Sequence, residues 1–420
     1  MLSVATPALT SARPRTATDP LPLGLFAVFI LTRVAASAIK YTLPDLEFDY
    51  IQTARAVFEH TGVHALYFPI SYPSLLFGVH AVVGNWLLTT HLLYVAASTA
   101  SAVFLYLLVR SMYGESVARR AVLLAMVMPN YTAAVVGYSH TPVVGHALLM
   151  AMLYAFYRMT GEGDDPKWYV AAAAAGTAAV LVRPDMLLCF LLLLGVWMWR
   201  RRRSAGSWQT IGLAMAMCGF VVVALAGVER VALRADPTEP FGMLGNPRYS
   251  YNAYIHTLSM RALDGRLESD AAIRLGEQAF GSAVSNDYSI LRAMRRNPRE
   301  AFANLAYNAK SLLKDAGHPL FMPVFLLPLV GIGAISRRHA GCGPAWLILA
   351  SVAPATLASV MLTHVEVRYL MPLVAPLLVL IAVALEDLAV AGRRWVPGVT
   401  YGLSAAISLT YLLYFHGSVS

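Results

Sequence analysis

The chain has 420 residues, 58% of them apolar and 13% charged, with a positive mean hydropathy. So many apolar runs could not be buried beneath one water-soluble surface, which excludes a soluble globular protein and indicates a polytopic membrane protein. The formal charge of +9 does not mark a nucleic-acid binder, because the basic residues flank apolar spans instead of forming a patch interleaved with aromatics.

Residues 1–20 are rich in Ser, Thr, Ala and Pro, carry Arg13 and Arg15, and read as a disordered cytosolic tail. No apolar stretch with a small-residue cleavage site precedes the first span, which is therefore expected to be retained as a helix. A span needs roughly 20 apolar residues. About eleven segments qualify, with 10 to 13 as bounds: 21–40, 86–109, 118–136, 141–159, 168–182, 185–199, 208–228, 319–336, 344–363, 369–386 and 396–415. Between the first two lies segment 41–85, with Asp45, Glu47 and Asp49 near its start. Its apolar stretch 72–84 is short and opens with Pro73, so it reads as an interfacial or re-entrant helix.

Segment 229–318 is the one long polar loop. In it Asn297 as N-cap, Pro298 at the first helical position and Glu300 two residues on make a helix start leading into 301–315. Phe302, Leu305, Leu312 and Leu313 give that helix an apolar side, and Lys310 and Lys314 a basic one, as expected of a helix on the membrane surface. The chain thus divides into a tail (1–20), an N-terminal transmembrane module (21–228) with a catalytic first loop (41–85), a long, partly helical loop (229–318) and C-terminal transmembrane helices (319–420). Cys189, Cys218 and Cys342 sit in or beside apolar segments at no metal-ligand spacing and read as buried small apolar residues.

Cationic residues orient the spans. With the N-terminus inside, Arg110, Arg119, Arg120, Arg158, Lys167, the run Arg200 to Arg203, Arg337, Arg338, Arg393 and Arg394 fall inside with Arg13 and Arg15. Only Lys40, Arg55, Arg183 and Arg368 fall in short outside loops. This orientation places Asp45, Glu47 and Asp49, the segment 130–141, the turn 183–185, the long loop and the segment 364–369 on one outer face. Carboxylates clustered at the mouth of a membrane helix are costly, and so indicate binding or catalysis.

Four of these outer elements recur in a fixed order. The carboxylates are followed by Tyr50, Ala54, Gly62 and Tyr67-Phe68-Pro69-Ile70-Ser71-Tyr72-Pro73. Next come Gly137-Tyr138-Ser139-His140-Thr141-Pro142, Val182-Arg183-Pro184-Asp185, and His364-Val365-Glu366-Val367-Arg368-Tyr369-Leu370-Met371-Pro372. The order resembles the GT-C superfamily of integral-membrane glycosyltransferases, which includes protein O-mannosyltransferases, aminoarabinose transferases and the mannosyltransferases of the GPI pathway. There an acidic motif in the first outer loop precedes a Tyr-Pro segment, an Arg-Pro turn opens a middle span, and an Arg-Tyr-x-x-Pro segment opens a late one.

The resemblance implies an all-α GT-C-like fold with interfacial helices in the first outer loop. It implies transfer of a sugar, mannose-like ones being favoured, from a polyprenyl-phosphate carrier to an envelope glycan, a lipid or a protein. The site would face outward from a bacterial inner membrane. A carboxylate would take the acceptor's proton, Glu47 and Asp49 leading over Asp45. A fixed cation would hold the phosphate leaving group, Arg368 first and Arg183 second. His140, Tyr50, Glu366, Tyr369 and Arg33 complete the candidate substrate contacts. Attack in a single step would invert the anomeric centre. Some members of the superfamily use a divalent cation and others do not, and Asp45, Glu47 and Asp49 offer hard oxygen ligands to one. The chain departs from the family pattern twice: its acids are spaced by single residues, and His140 stands where many relatives carry an acid. The rival reading is a transporter or flippase of lipid-linked sugar, which would place charges at mid-membrane and show repeats. Here only Arg33 lies clearly within a span, and no repeat is evident.

Overall fold

The computed structural model describes residues 21–39, 45–59, 71–128, 140–160, 165–201, 207–235, 247–263, 269–316, 327–338, 348–362 and 370–417. Among them the chain is helical, with no strand. Among the described residues, four helices are long and apolar enough to cross a membrane, over Trp86–Tyr113, Thr141–Thr160, Trp208–Arg230 and Met371–Val390; Leu23–Ile39 and Ser71–Val83 are apolar but shorter. The protein is an integral membrane protein. The described parts of the expected spans are largely helical.

Local chemistry explains the boundaries near the site. Helix α1 covers Leu23–Ile39 and α2 Asp45–Phe58, so the three acids lie at the N-terminal end of a helix and not in an irregular loop. Acids are favoured there by the positive end of the helix dipole. Helix α3 (Ser71–Val83) ends at Gly84, whose φ of +73° suits glycine. Asn85 then caps α4 (Trp86–Tyr113) by accepting the Leu88 N–H at 3.0 Å. Gly114, with φ +91°, separates α4 from α5 (Glu115–Val127). After α6 (Thr141–Thr160), Asp165 caps α7 (Pro166–Val182), with Pro166 at its first position. The turn Arg183-Pro184-Asp185 leads into α8 (Met186–Arg201), followed by α9 (Ser207–Ala235).

Helices α4 and α6 are the axis of this half. Helix α4 packs on α1, α3, α5 and α6, and α6 packs on α4, α7 and α8. Leu105, Leu108, Val122, Leu149, Leu153, Phe156 and Phe190 lie in the shared core. The pair α2–α3 seats Ile51, Tyr72 and Leu76 against Val144 and Val182 in a smaller apolar cluster. That seat fixes the head of α2 over the mouth of the bundle.

The segment after α9 folds into α10 (Pro247–Leu263), α11 (Ser269–Phe280), α12 (Ile290–Arg296) and α13 (Pro298–Ala316). It has an apolar core of its own, with Tyr251, Tyr254, Ile255, Leu258 and Phe280. Asn297 accepts the Glu300 N–H at 3.3 Å, the helix start expected from sequence. On this helix Phe302 is 74% exposed, while Ala301, Asn304 and Asn308 form the buried stripe. The Asn308 amide donates to the Met361 carbonyl at 3.0 Å, tying α13 to α15 (Val352–Leu362). Asn304 and Asn308, four apart, form an inward face whose polarity masks the helical period.

Helices α14 (Leu327–Arg338) and α16 (Met371–Val390) cross at Gly331, where a Cβ would lie 2.1 Å from the Leu380 carbonyl oxygen. Backbone cannot move aside as a side chain can, and small residues permit such close helix approach. Gly331→Ala is expected to cost about 1–3 kcal/mol by overpacking, read as a lower melting temperature in detergent. An unchanged value would contradict the crossing.

Candidate functional site

Along α2, successive residues are rotated by about 100°, so Glu47 and Asp49 lie on opposite sides. Glu47 is 0% exposed, whereas Asp49 is exposed. Inward with Glu47 point Ile51 and Ala54, one and two turns on, both buried. The Tyr72 hydroxyl of α3 donates to Glu47 Oε1, and the His140 backbone N–H donates to Oε2 at 3.0 Å. Thr141 hydrogen-bonds the Tyr72 hydroxyl in turn, and the Tyr50 ring meets Tyr72 edge-on at 5.0 Å.

The placement has an electrostatic logic. His140 is the residue from which α6 starts, its carbonyl accepting the N–H groups of Val143 and Val144 at 3.0 and 3.2 Å. Its own N–H is therefore at the positive end of α6, where a carboxylate is stabilised. A buried carboxylate also needs hydrogen-bond donors, and Tyr72 and His140 supply them.

The His140 ring is 0% exposed, and its Nδ1 lies 3.1 Å from the Thr90 carbonyl of α4. A carbonyl only accepts, so Nδ1 carries the hydrogen and Nε2 the lone pair. Nε2 has no hydrogen-bond partner among the described residues. The rings of Tyr94 and His91 pack around it at 5.3 and 5.8 Å. Beyond them Ser37 Oγ lies 2.9 Å from His91 Nδ1, and Ser101 Oγ 2.8 Å from His146 Nδ1.

Arg33 is 1% exposed within α1. Its guanidinium donates to the carbonyls of Ala125 and Met126 at 3.1 and 2.6 Å and to the Tyr94 hydroxyl at 3.4 Å. Those carbonyls belong to the last turn of α5, whose acceptors lack helical partners. Arg33 thus caps α5 from a neighbouring helix, two positions removed from Glu47 through Tyr94 and His140.

Arg183 is also buried, and its Nε and Nη2 donate to Asp185 at 3.1 and 2.7 Å. Its stem crosses Gly145, where a Cβ would lie 2.5 Å from Arg183 Cδ. The fork is thus matched by a carboxylate two residues away.

Of the expected site residues, the structure gathers Glu47, Tyr50 and His140 in one cluster, sets Asp49 on the outward side of the same helix, and holds Arg33 and Arg183 in contacts of their own. The Asp45 side chain, Glu366, Arg368 and Tyr369 lie outside the described residues. The sequence reading passed over Tyr72 as a ligand of Glu47, along with Thr90, His91, Tyr94 and His146. Thr90, His91, Tyr94, Ser98 and Ser101 follow one face of α4, and all are buried. That polar stripe within a span was the available signal.

Glu47 and Asp49 lie on opposite sides of α2 and so do not face one shared cation, while the Asp45 side chain lies outside the described residues. Glu47 turns away from Asp49 and both its oxygens accept hydrogen bonds. No group of three His, Cys, Asp or Glu side chains suited to a metal occurs among the described residues.

The described helices, with α2 and α3 packed against the bundle, resemble solved structures in fold. The chain aligns with ArnT from Cupriavidus metallidurans bound to undecaprenyl phosphate at TM-score 0.57 and 14% identity, covering 94% of this chain and 75% of that one. The apo state of the same protein gives 0.56 and 13% identity, with the same coverages. The archaeal oligosaccharyltransferase AglB from Archaeoglobus fulgidus, in complex with an inhibitory peptide and a dolichol-phosphate, matches at 0.56 and 12% identity. That alignment covers 94% of this chain and 55% of AglB. Residues 68–225 match the family described as dolichyl-phosphate-mannose-protein mannosyltransferase. The matched stretch begins after the carboxylates and runs from just before α3 into α9. A comparison with curated protein sequences gives no match.

Proposed function

We propose that the protein is a polyprenyl-phosphate-sugar-dependent glycosyltransferase acting at the head of α2. The observation that carries this reading is Glu47, a carboxylate completely buried at the mouth of a GT-C-like bundle and held by donors from two other elements. The family match over 68–225 supports it. So does the likeness in fold to a protein bound to undecaprenyl phosphate and to another in complex with dolichol-phosphate.

In this reading Glu47 anchors the helix and Asp49 acts. A general base must reach the hydroxyl it deprotonates. Glu47 is closed off and already accepts two hydrogen bonds, whereas Asp49 is exposed on the same rigid turn. The acceptor hydroxyl attacks the anomeric carbon, its proton passes to Asp49, and the bond from that carbon to the phosphate oxygen breaks with inversion. Arg368 is assigned to the departing phosphate. Arg183, already matched by Asp185, braces the turn between α7 and α8. The donor carries a mannose-like monosaccharide, and the acceptor is an envelope glycan or lipid. Eleven spans, a cytosolic N-terminus and an outward site in a bacterial inner membrane complete the proposal.

The direct test is to incubate purified protein with a panel of polyprenyl-phosphate monosaccharides, with and without glycan and lipid acceptors, and to measure released polyprenyl phosphate. Release dependent on one sugar and one acceptor class is expected. Donor moved across vesicle membranes without release would replace the enzyme by a flippase.

A further inference from the structure

We propose that His140 is a positioning residue for the α2 carboxylates, acting through its backbone N–H, which its own ring holds in place against α4. This rests on the reading of the α2 head as the reaction site.

Two contacts and one unpartnered atom carry the argument. The His140 N–H meets Glu47 Oε2 at 3.0 Å, the ring Nδ1 meets the Thr90 carbonyl at 3.1 Å, and Nε2 meets no partner among the described residues. The ring thus spends its one donor on α4, and what reaches Glu47 is main chain. Residue 140 is where α6 begins. Fixing its ring to Thr90 fixes the height at which the helix presents its first N–H, and so the depth at which Glu47 and the rest of α2 sit. Asp49, half a turn away on the same helix, inherits that register.

This differs from the role suggested by sequence, a ring nitrogen turned to the acceptor. An acceptor contact would need Nε2, whereas the positioning role needs only Nδ1. The two nitrogens can be mimicked separately. The Asn side-chain amide nitrogen is a δ atom and replaces Nδ1–H; the Gln amide oxygen is an ε atom and can accept where the Nε2 lone pair does.

The experiment compares His140→Asn, His140→Gln and His140→Ala in purified protein, with turnover, donor KM and hydrogen exchange measured on each. His140→Asn should keep turnover within about threefold. His140→Gln and His140→Ala should lose at least about tenfold in kcat, a loss of about 1.4 kcal/mol or more in transition-state stabilisation, with donor KM changed less than about twofold. Exchange should accelerate in peptides covering 45–58 for the Gln and Ala variants and not for Asn. Rescue by Gln and not by Asn would overturn the proposal in favour of an acceptor contact at Nε2. Wild-type turnover and exchange in His140→Ala would overturn it outright. The exchange readout needs no substrate, so an inactive wild type whose Ala variant still loosens 45–58 would fail the glycosyltransferase reading and keep the positioning role.

Discussion

Asp49→Asn is expected to lower kcat for sugar transfer by about 10²–10⁴-fold, the usual contribution of a positioned general base, while donor KM and melting temperature stay near wild type. Asn has nearly the shape of Asp but its amide takes no proton at neutral pH. Because position 49 is exposed, the exchange should shift stability by no more than about 0.5 kcal/mol. Released polyprenyl phosphate under saturating donor measures the first effect and a detergent melting curve the second. Full turnover in Asp49→Asn would remove it as the base. A loss accompanied by unfolding would make it structural.

That two acids separated by one residue face opposite sides follows from the helix; the sequence reading expected interfacial helices in the first outer loop but did not place the acids within one. The run 45–58 carries Glu47, Ile51 and Ala54 on one side, a helical spacing. The cluster Asp45-x-Glu47-x-Asp49 looks instead like a loop, since three acids in five residues suggest solvent. The spans were easier to read, because long apolar runs need no tertiary context. Positions 86–113 and 371–390 differ from expectation by a few residues at their ends. Arg33 and Arg183 were harder. A cation in or beside a span reads equally well as a ligand of lipid phosphate or as a cap for another element. The structure gives each its contacts: the last carbonyls of α5 for Arg33, and Asp185, two residues along the chain, for Arg183. The His140 amide lay beyond sequence reasoning, because a main-chain donor leaves no trace in residue identity.

Glu47 should respond to substitution in the opposite way from Asp49. Glu47→Leu fills the space but leaves the Tyr72 hydroxyl and the His140 N–H facing an apolar group. Each unsatisfied buried donor costs about 1–3 kcal/mol, so the variant is expected to melt well below wild type and to lose turnover with its fold. Glu47→Gln is the finer probe. Its remaining oxygen can accept the His140 N–H, and its amide can donate to the Tyr72 oxygen, provided Tyr72 turns its own hydrogen elsewhere. The fold should then survive with a smaller loss of stability, while turnover falls only as far as α2 has shifted. If Glu47 were itself the base, Glu47→Gln would match Asp49→Asn in the depth of its kinetic loss and Asp49→Asn would be active. If Glu47 anchors and Asp49 acts, adding Glu47→Gln to Asp49→Asn should cost little further turnover, since residues working as one unit are not additive. The double variant should still melt like Glu47→Gln alone. The two carboxylates are thus separable by which measurement each one moves: stability and helix register for the buried acid, chemistry alone for the exposed one.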